Sequence, residues 1–141
     1  MSTARRRKRI RNEPVRAWTA AWVGGAALGV ANGIVREGTY GRRLPEPAAN
    51  AISVASAIGL FVAYFGVLQH RWPLRSSVEA ARVGAVWFAL TMCFEVGVGR
   101  ARGKTWADIG GEYDLRRGRL WPLVLISLTA GPEIVRRRSS V

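Results

Sequence analysis

The stretch AISVASAIGLFVAYFGVLQ, residues 51–69, contains no charged side chain and consists almost entirely of apolar and small residues. A helix of about 20 such residues is long enough to cross the roughly 30 Å hydrocarbon core of a bilayer. Residues 51–69 therefore predict a transmembrane helix.

Three further apolar runs repeat this pattern, and they are Ala17–Val35, about Val83–Val98 and Leu120–Val135. The last run is short and contains two prolines. Pro122 falls in the first turn of the predicted helix, where a missing N–H costs little. Pro132 is predicted to end or kink the helix, because proline removes an internal hydrogen bond. Together with residues 51–69, the runs predict an all-α fold, a bundle of four transmembrane helices.

The chain has 141 residues, of which 49% are hydrophobic, and a formal net charge of +13. This length favours one domain. The charged residues cluster between the apolar runs instead of recurring at the 3.6-residue period of a soluble helix face. A basic excess is also typical of nucleic-acid-binding proteins, but the apolar runs argue against a nucleic acid partner. We expect a basic N-terminal segment at residues 1–16, a transmembrane domain at 17–135 and a basic tail at 136–141.

Lys and Arg residues in the short segments between the runs predict the orientation, because they are retained on the cytoplasmic side. The N-terminal segment, the second loop and the C-terminus together carry 13 of them, whereas the first and third loops carry nine. Both termini are therefore predicted to be cytoplasmic. The preference for Arg over Lys and the abundance of Ala and Gly suggest a GC-rich bacterial genome, so the expected location is the bacterial inner membrane.

The expected partners are the lipid bilayer and other membrane subunits. Basic residues of the N-terminal segment can contact anionic lipid headgroups, each contributing about 1 kcal/mol. Gly25, Gly29 and Gly33 recur at four-residue spacing, which leaves one helix face without side chains and allows close helix packing. This face can pack within the bundle or against another subunit.

Tryptophan residues lie near the ends of the runs, where interfacial anchors are expected, and these are Trp18, Trp22, Trp72, Trp106 and Trp121. Trp87 lies deeper and is predicted to belong to the core. Cys93 is the single cysteine, which excludes an internal disulfide, and its apolar run predicts a buried packing residue.

With four crossings, the first helix ends, the second begins, the third ends and the fourth begins on the same, outer side. The polar residues there form a candidate cluster, either structural or ligand-binding: Asn32, Arg36, Glu37, Glu95, Asp114 and Arg119. An acid within a transmembrane run costs roughly 3 kcal/mol unless it is paired or hydrated. Glu95 is therefore expected to pair with Arg36 or Arg119. It either fixes the helix register through an ion pair or belongs to a ligand, proton or substrate site.

The third loop contains KTWADIGGEYDLRRGR, residues 104–119, and this sequence predicts more structure than a plain connector has. Thr105 is predicted to cap a short helix, and the pair Gly110–Gly111 is predicted to break it. We expect an amphipathic segment that lies on the membrane surface with Trp106 directed inward.

Several motifs at these positions resemble an uncharacterised bacterial family of small four-helix integral membrane proteins. They are N-G-x-x-R-E (32–37), Y-G-x-x-L (40–44), F-E-x-x-x-G (94–99), G-K-x-W (103–106) and Y-D-L-x-x-G-R-L-W-P-L-V-L (113–125). The resemblance covers about residues 17–131. It implies the four-helix fold and its topology, and it implies no substrate, cofactor or catalytic residue.

No metal cluster, phosphate loop, nucleophile elbow or dinucleotide fingerprint is present in the sequence. The leading hypothesis is a non-enzymatic accessory or assembly-type membrane subunit, with no cofactor, no metal and no catalytic residue. The alternative is a small transporter, or a membrane enzyme that acts on a lipid or isoprenoid head group through an outer-facing polar cavity.

Overall fold

The structure is a computed structural model that describes residues 2–111 and 120–140, and within these ranges every regular element is helical. The described residues form five α-helices and one short 3-10 turn. They are α1 (Thr3–Gly38), the 3-10 turn (Tyr40–Arg42), α2 (Glu46–Arg71), α3 (Ser77–Ala101), α4 (Trp106–Gly111) and α5 (Trp121–Ser139).

Three of these helices are long and apolar enough to cross a membrane, and the relevant segments are Asn12–Gly38, Glu46–Arg71 and Ser77–Ala101. They contain the first three predicted spans. Helix α5 contains the fourth predicted span, but it does not belong to this set of three. Its 19 residues correspond to about 28 Å of helix, at 1.5 Å per residue.

Aromatic side chains form the centre of the bundle. Phe65 of α2 and Trp87 of α3 meet edge to face with 4.9 Å between ring centroids, and Trp18 of α1 lies 5.5 Å from Phe65. Such aromatic pairs contribute roughly 1 kcal/mol beyond the area that they bury. The burial of Trp87 confirms its predicted place in the core.

Trp18, which was predicted as an interfacial anchor near the end of its apolar run, lies inside the bundle. Its side chain is completely buried, and its Nε1 donates a hydrogen bond of 2.9 Å to the carbonyl oxygen of Trp72. The Nε1 of Trp87 donates a second bond of 2.9 Å to the carbonyl oxygen of Trp18. Proximity to the end of an apolar run predicted a location along the helix axis, whereas the packing of α1 against α3 determined the buried face.

Small residues allow close approach between helices at two crossings. A Cβ atom on Gly84 of α3 would collide with the carbonyl oxygen of Thr129 in α5, and one on Gly25 of α1 would lie 2.6 Å from the Trp87 ring. Gly33 has no neighbour within 4 Å of such an atom. The three glycines of α1 therefore face different surroundings, although their spacing is regular.

The end of α5 is fastened beside the end of α2 and the start of α3. The side chain of buried Gln69 accepts a bond of 3.0 Å from the Leu74 N–H and donates one of 3.2 Å to Ser139 Oγ. Ser77 Oγ donates to Glu133 at 3.0 Å, and Arg136 Nε donates to the same carboxylate at 2.7 Å. These bonds place the C-terminal end of α5 at the end of the bundle where α3 begins.

Helix α5 continues through Pro132, so of the two predicted effects of this proline, an end or a kink, the end is excluded. The proline is fully buried, and the helix extends seven residues further to Ser139. The residues beyond the proline are held by the hydrogen bonds of Arg136 and Arg137 to Glu133. These interactions support the last two turns despite the missing proline N–H.

Cys93 is exposed on the outer face of α3, which corrects its predicted burial. The basic N-terminal segment is helical, because α1 begins at Thr3 and continues through Pro14. The basic residues Arg5–Arg9 are all exposed on this helical arm. About 14 residues of helix precede Ala17, where the first apolar run begins.

Candidate binding cavity

Four separate parts of the chain form the wall of one cavity of about 670 Å³, which we call the polar cavity. Helix α1 contributes Asn32, Gly33, Arg36 and Glu37 from its last two turns. Residues three and four apart lie on the same face of a helix. Asn32, Gly33 and Arg36 therefore reach the cavity together.

The start of α2 forms the opposite wall with Asn50 and Ser53. Asn32 Nδ2 donates a hydrogen bond of 3.0 Å to the carbonyl oxygen of Ser53 and is 3.3 Å from its Oγ. This contact joins the end of α1 to the start of α2. It holds the two walls at a constant separation.

The turn between α1 and α2 adds Gly41 and Arg42 to the cavity wall. A Cβ atom on Gly41 would collide with the carbonyl oxygen of Arg36, so the turn can fold back onto α1 because position 41 is glycine. This close approach brings Arg42 beside the end of α1.

Helix α3 supplies Glu95, and the turn after α3 supplies Lys104. Gly103 has a φ angle of +81°, a conformation that residues with a side chain rarely adopt. Its N–H donates to Arg100 O, and the Lys104 N–H donates to Gly99 O, both at 3.0 Å. The turn at Gly103 thereby reverses the chain and brings Lys104 to the cavity.

The start of α5 closes the cavity with Leu120 and Trp121. The Trp121 Nε1 atom is buried and has no hydrogen-bond partner within residues 2–111 and 120–140. A buried donor without an acceptor costs roughly 1–3 kcal/mol.

The structure brings Asn32, Arg36, Glu37 and Glu95 of the predicted cluster to one cavity. Asp114 and Arg119, the other two members, lie outside the described residues. Among the lining residues absent from the predicted cluster are Arg42, Ser53 and Lys104. Ser53 lies three residues after Asn50, so the periodicity of α2 contained a clue to its position. The other two depend on turns.

Arg36 does not form the expected ion pair with Glu95 in the part of the chain that the structure describes. Arg36 is half-buried and lines the cavity, and its side chain forms no hydrogen bond or ion pair with a described residue. Glu95 has an interaction of its own. A cation that lines a cavity and has no partner among these residues is available to an anionic group.

A second cavity of about 210 Å³, which we call the apolar cleft, lies between α1, α3 and α5. Its wall includes Gly25, Trp87, Phe94 and Leu128. Gly29, Glu95 and Trp121 line both cavities. The polar cavity and the apolar cleft are therefore neighbours that meet at these three residues.

Helix α4 covers the turn beside the polar cavity. The Asp108 N–H donates to Thr105 Oγ1, and the Thr105 N–H donates to Asp108 Oδ2, both at 3.1 Å, which confirms the predicted Thr105 cap. Two hydrogen bonds lower the pKa of the Asp108 carboxyl group. The larger effect comes from the Thr105 backbone N–H, and the smaller one comes from the Thr105 hydroxyl. The cap therefore contributes stability above the ordinary carboxyl pKa and loses it as the pH falls through the lowered value.

The short helix α4 packs on α3 through Ile109. Ile109 is buried and lies against Gly99, whereas Trp106 is 65% exposed, with the Arg100 guanidinium 4.9 Å from its ring centroid. The last residues of α4 are Gly110 and Gly111, the pair predicted to break it, and residues 112–119 lie outside the described residues.

Within the described ranges, no group of three or more His, Cys, Asp or Glu side chains is arranged to hold a metal ion. Comparison of the sequence and the fold with known protein families, with curated proteins and with solved structures finds no match. The function of the site must therefore be argued from its own chemistry.

Proposed function

We propose that this chain is a multi-pass protein of a bacterial inner membrane, with four crossings and both termini in the cytoplasm. Three apolar helices support a membrane location. Large apolar side chains on the outside of the bundle also support it, because lipid is the solvent that such a surface requires, and they include Val23, Ile34, Val67 and Ile126.

The position of α5 supports a fourth crossing. Trp121, at its first turn, lies in the polar cavity with Asn50 and Glu95, whereas Ser139, at its last turn, contacts Gln69 at the opposite end of α2. A helix that begins at one end of a bundle and finishes at the other end crosses whatever its neighbours cross. Its length of about 28 Å is close to the thickness of the hydrocarbon core.

A topology assay tests the number of crossings. One reporter is fused after Arg102 and another at the C-terminus of the full chain. Four crossings place these two reporters on opposite sides of the membrane. Reporters on the same side would contradict the fourth crossing and leave α5 on one surface of the bilayer.

We further propose that the polar cavity binds a ligand, or the polar part of another membrane component, and that the chain acts as a non-enzymatic accessory subunit. The observation that carries this proposal is the convergence of α1, α2, α3 and α5 on one cavity that Arg36 lines without an ion-pair partner among the described residues. A volume of about 670 Å³ lies within the roughly 300–1,000 Å³ of small-molecule sites.

The binding proposal is tested by native mass spectrometry of protein extracted from membranes. The wild type is expected to carry a bound molecule that Arg36→Gln loses by at least tenfold in occupancy, while the melting temperature stays the same. Arg43→Gln is the matched control, because Arg43 is exposed and does not line the cavity. A loss of stability in Arg36→Gln with no change in bound molecules would instead indicate a structural role.

The second candidate is a small transporter, or an enzyme that acts on a lipid or isoprenoid head group. Glu95 favours it, because an acid in an apolar helix that lines both cavities can reach the junction between a polar and an apolar part of a substrate. Incubation of the bound molecule with purified protein separates the possibilities. Recovery of the unchanged molecule supports binding, and a chemically altered product supports an enzyme.

A further inference from the structure

The two cavities differ sharply in the chemistry of their walls, although they adjoin. The polar cavity is lined by the cations Arg36, Arg42 and Lys104 and by the acids Glu37 and Glu95. Among the described residues that line it, cations outnumber acids by one. In the same described part of the chain, the apolar cleft is lined mainly by small, aliphatic and aromatic side chains, with Glu95 and Arg102 as its charged residues.

A molecule that fills both spaces must itself have a polar, negatively charged end and an apolar end. We propose that the site binds an anionic, phosphate-bearing membrane lipid, with its headgroup in the polar cavity and the start of one hydrocarbon chain in the apolar cleft. This inference rests on the proposed binding function and assigns its ligand class.

The polar cavity suits the phosphate of such a lipid. Arg36 lines it and has no ion-pair partner among the described residues. Phosphate oxygens accept charge-assisted hydrogen bonds from guanidinium groups.

The cleft also has an opening toward the surrounding lipid. Val30 of α1 and Phe94 and Val98 of α3 line it and are 49%, 38% and 36% exposed. Gly29 lies on the α1 side of this opening and has no side chain to block it. A Cβ atom at this position would approach only Phe61, at 3.7 Å. A hydrocarbon chain can therefore enter laterally and continue along the apolar outer surface.

Four single substitutions form two matched pairs that probe the two ends of the site. Arg42→Gln removes a cation from the polar cavity, and Arg43→Gln removes the neighbouring cation, which does not line it. Gly29→Leu fills the cleft, and Gly59→Leu places the same side chain on α2 at an exposed position with no atom within 4 Å. Each control carries the same chemical change as its partner.

The experiment uses the full chain, purified in detergent and incubated with defined probes before native mass spectrometry. The probes are palmitoyl-oleoyl phosphatidylglycerol, the matching phosphatidylcholine, sn-glycerol 3-phosphate and inorganic phosphate. We expect one tightly retained phosphatidylglycerol and at least tenfold weaker retention of phosphatidylcholine. Arg42→Gln and Gly29→Leu should each weaken phosphatidylglycerol binding at least fivefold, whereas both controls retain wild-type binding.

Several outcomes would overturn the lipid assignment. Equal retention of the two lipids, or equal losses in Arg42→Gln and Arg43→Gln, would show that surface charge and not the cavity holds the lipid. Phosphatidylglycerol binding that is no tighter than glycerol phosphate binding, and that Gly29→Leu leaves unchanged, would exclude the hydrocarbon chain while preserving the proposed binding function. No bound probe, together with no bound molecule in protein taken directly from membranes, would remove both proposals.

Discussion

Glycine residues in these helices occupy positions that sequence spacing alone does not distinguish. Gly84 packs directly against the backbone of α5, since a Cβ atom there would collide with the Thr129 carbonyl oxygen. Gly97 lies in the same helix and has nothing within 4 Å of the corresponding position. Gly84 is therefore required for helix packing, whereas Gly97 only carries the conformational cost that glycine has in any helix.

Gly84→Ala is expected to destabilise the protein by about 1–2 kcal/mol. An alanine in a helix ordinarily gains roughly 0.5–1 kcal/mol over glycine, but overpacking against a backbone costs about 1–3 kcal/mol. Gly97→Ala is the matched control and should be neutral or stabilising. Unfolding of both variants in detergent, followed by circular dichroism, measures the difference, and equal stabilities would contradict the close contact between α3 and α5.

At the scale of the elements, the helices are connected by a few buried hydrogen bonds that cross between them. Trp18 of α1 donates to the segment after α2 and accepts a bond from Trp87 of α3. At the opposite end of the bundle, Asn32 of α1 donates to Ser53 of α2. The first set fixes α1 against α3, and the second keeps the wall of the polar cavity closed.

Trp18→Phe is expected to lower the free energy of unfolding by roughly 1–3 kcal/mol. The phenyl ring preserves an aromatic contact with Phe65, but the Trp72 carbonyl oxygen loses its donor and part of the ring volume is lost. Trp106→Phe is the control, because Trp106 is 65% exposed, and its effect should stay within about 0.5 kcal/mol. Similar losses in the two variants, measured by chemical denaturation, would argue against a buried role for Trp18.

At the scale of the whole molecule, basic residues are distributed unequally between the two ends of the bundle. The exposed arm at the start of α1 carries Arg5–Arg9, and the end of α5 carries Arg136–Arg138. The basic tail of α5 lies at the end of the bundle where α2 ends and α3 begins. Arg136 forms hydrogen bonds there with Glu133 and Ser77, and Ser139 contacts Gln69. This end is the one proposed to face the cytoplasm.

Substitution of all five residues in Arg5–Arg9 by Gln is expected to weaken or reverse the orientation. It lowers the basic count at the proposed cytoplasmic end from 13 to eight, which is below the nine at the other end. Substitution of Arg136–Arg138 by Gln leaves ten and should keep the orientation. Reporters after Arg102 and at the C-terminus measure both variants. An unchanged orientation in the five-residue variant would show that the arm does not set the topology.

The hydropathy of the chain predicted most of the helices but not the faces that they bury. Apolar runs located α1, α2 and α3, because a run of side chains without charge is a local property of the sequence. Cys93 was assigned to the wrong surroundings, since its exposure depends on the neighbouring elements. The sequence left an end or a kink open at Pro132, and tertiary contacts favour continuation, because Ser77 of α3 forms hydrogen bonds with Glu133 and Arg136 of α5.

The sequence by itself determined the helical class and the concentration of polar residues near one set of helix ends, because both follow from the order of apolar and charged residues. Only the tertiary structure decided that Arg42 and Lys104 join Arg36 at one cavity, since two tight turns bring them there. It alone also joined that cavity to an apolar cleft at Gly29, Glu95 and Trp121. Contacts between residues far apart in the chain depend on how the helices pack, and the hydropathy of the sequence does not predict that packing.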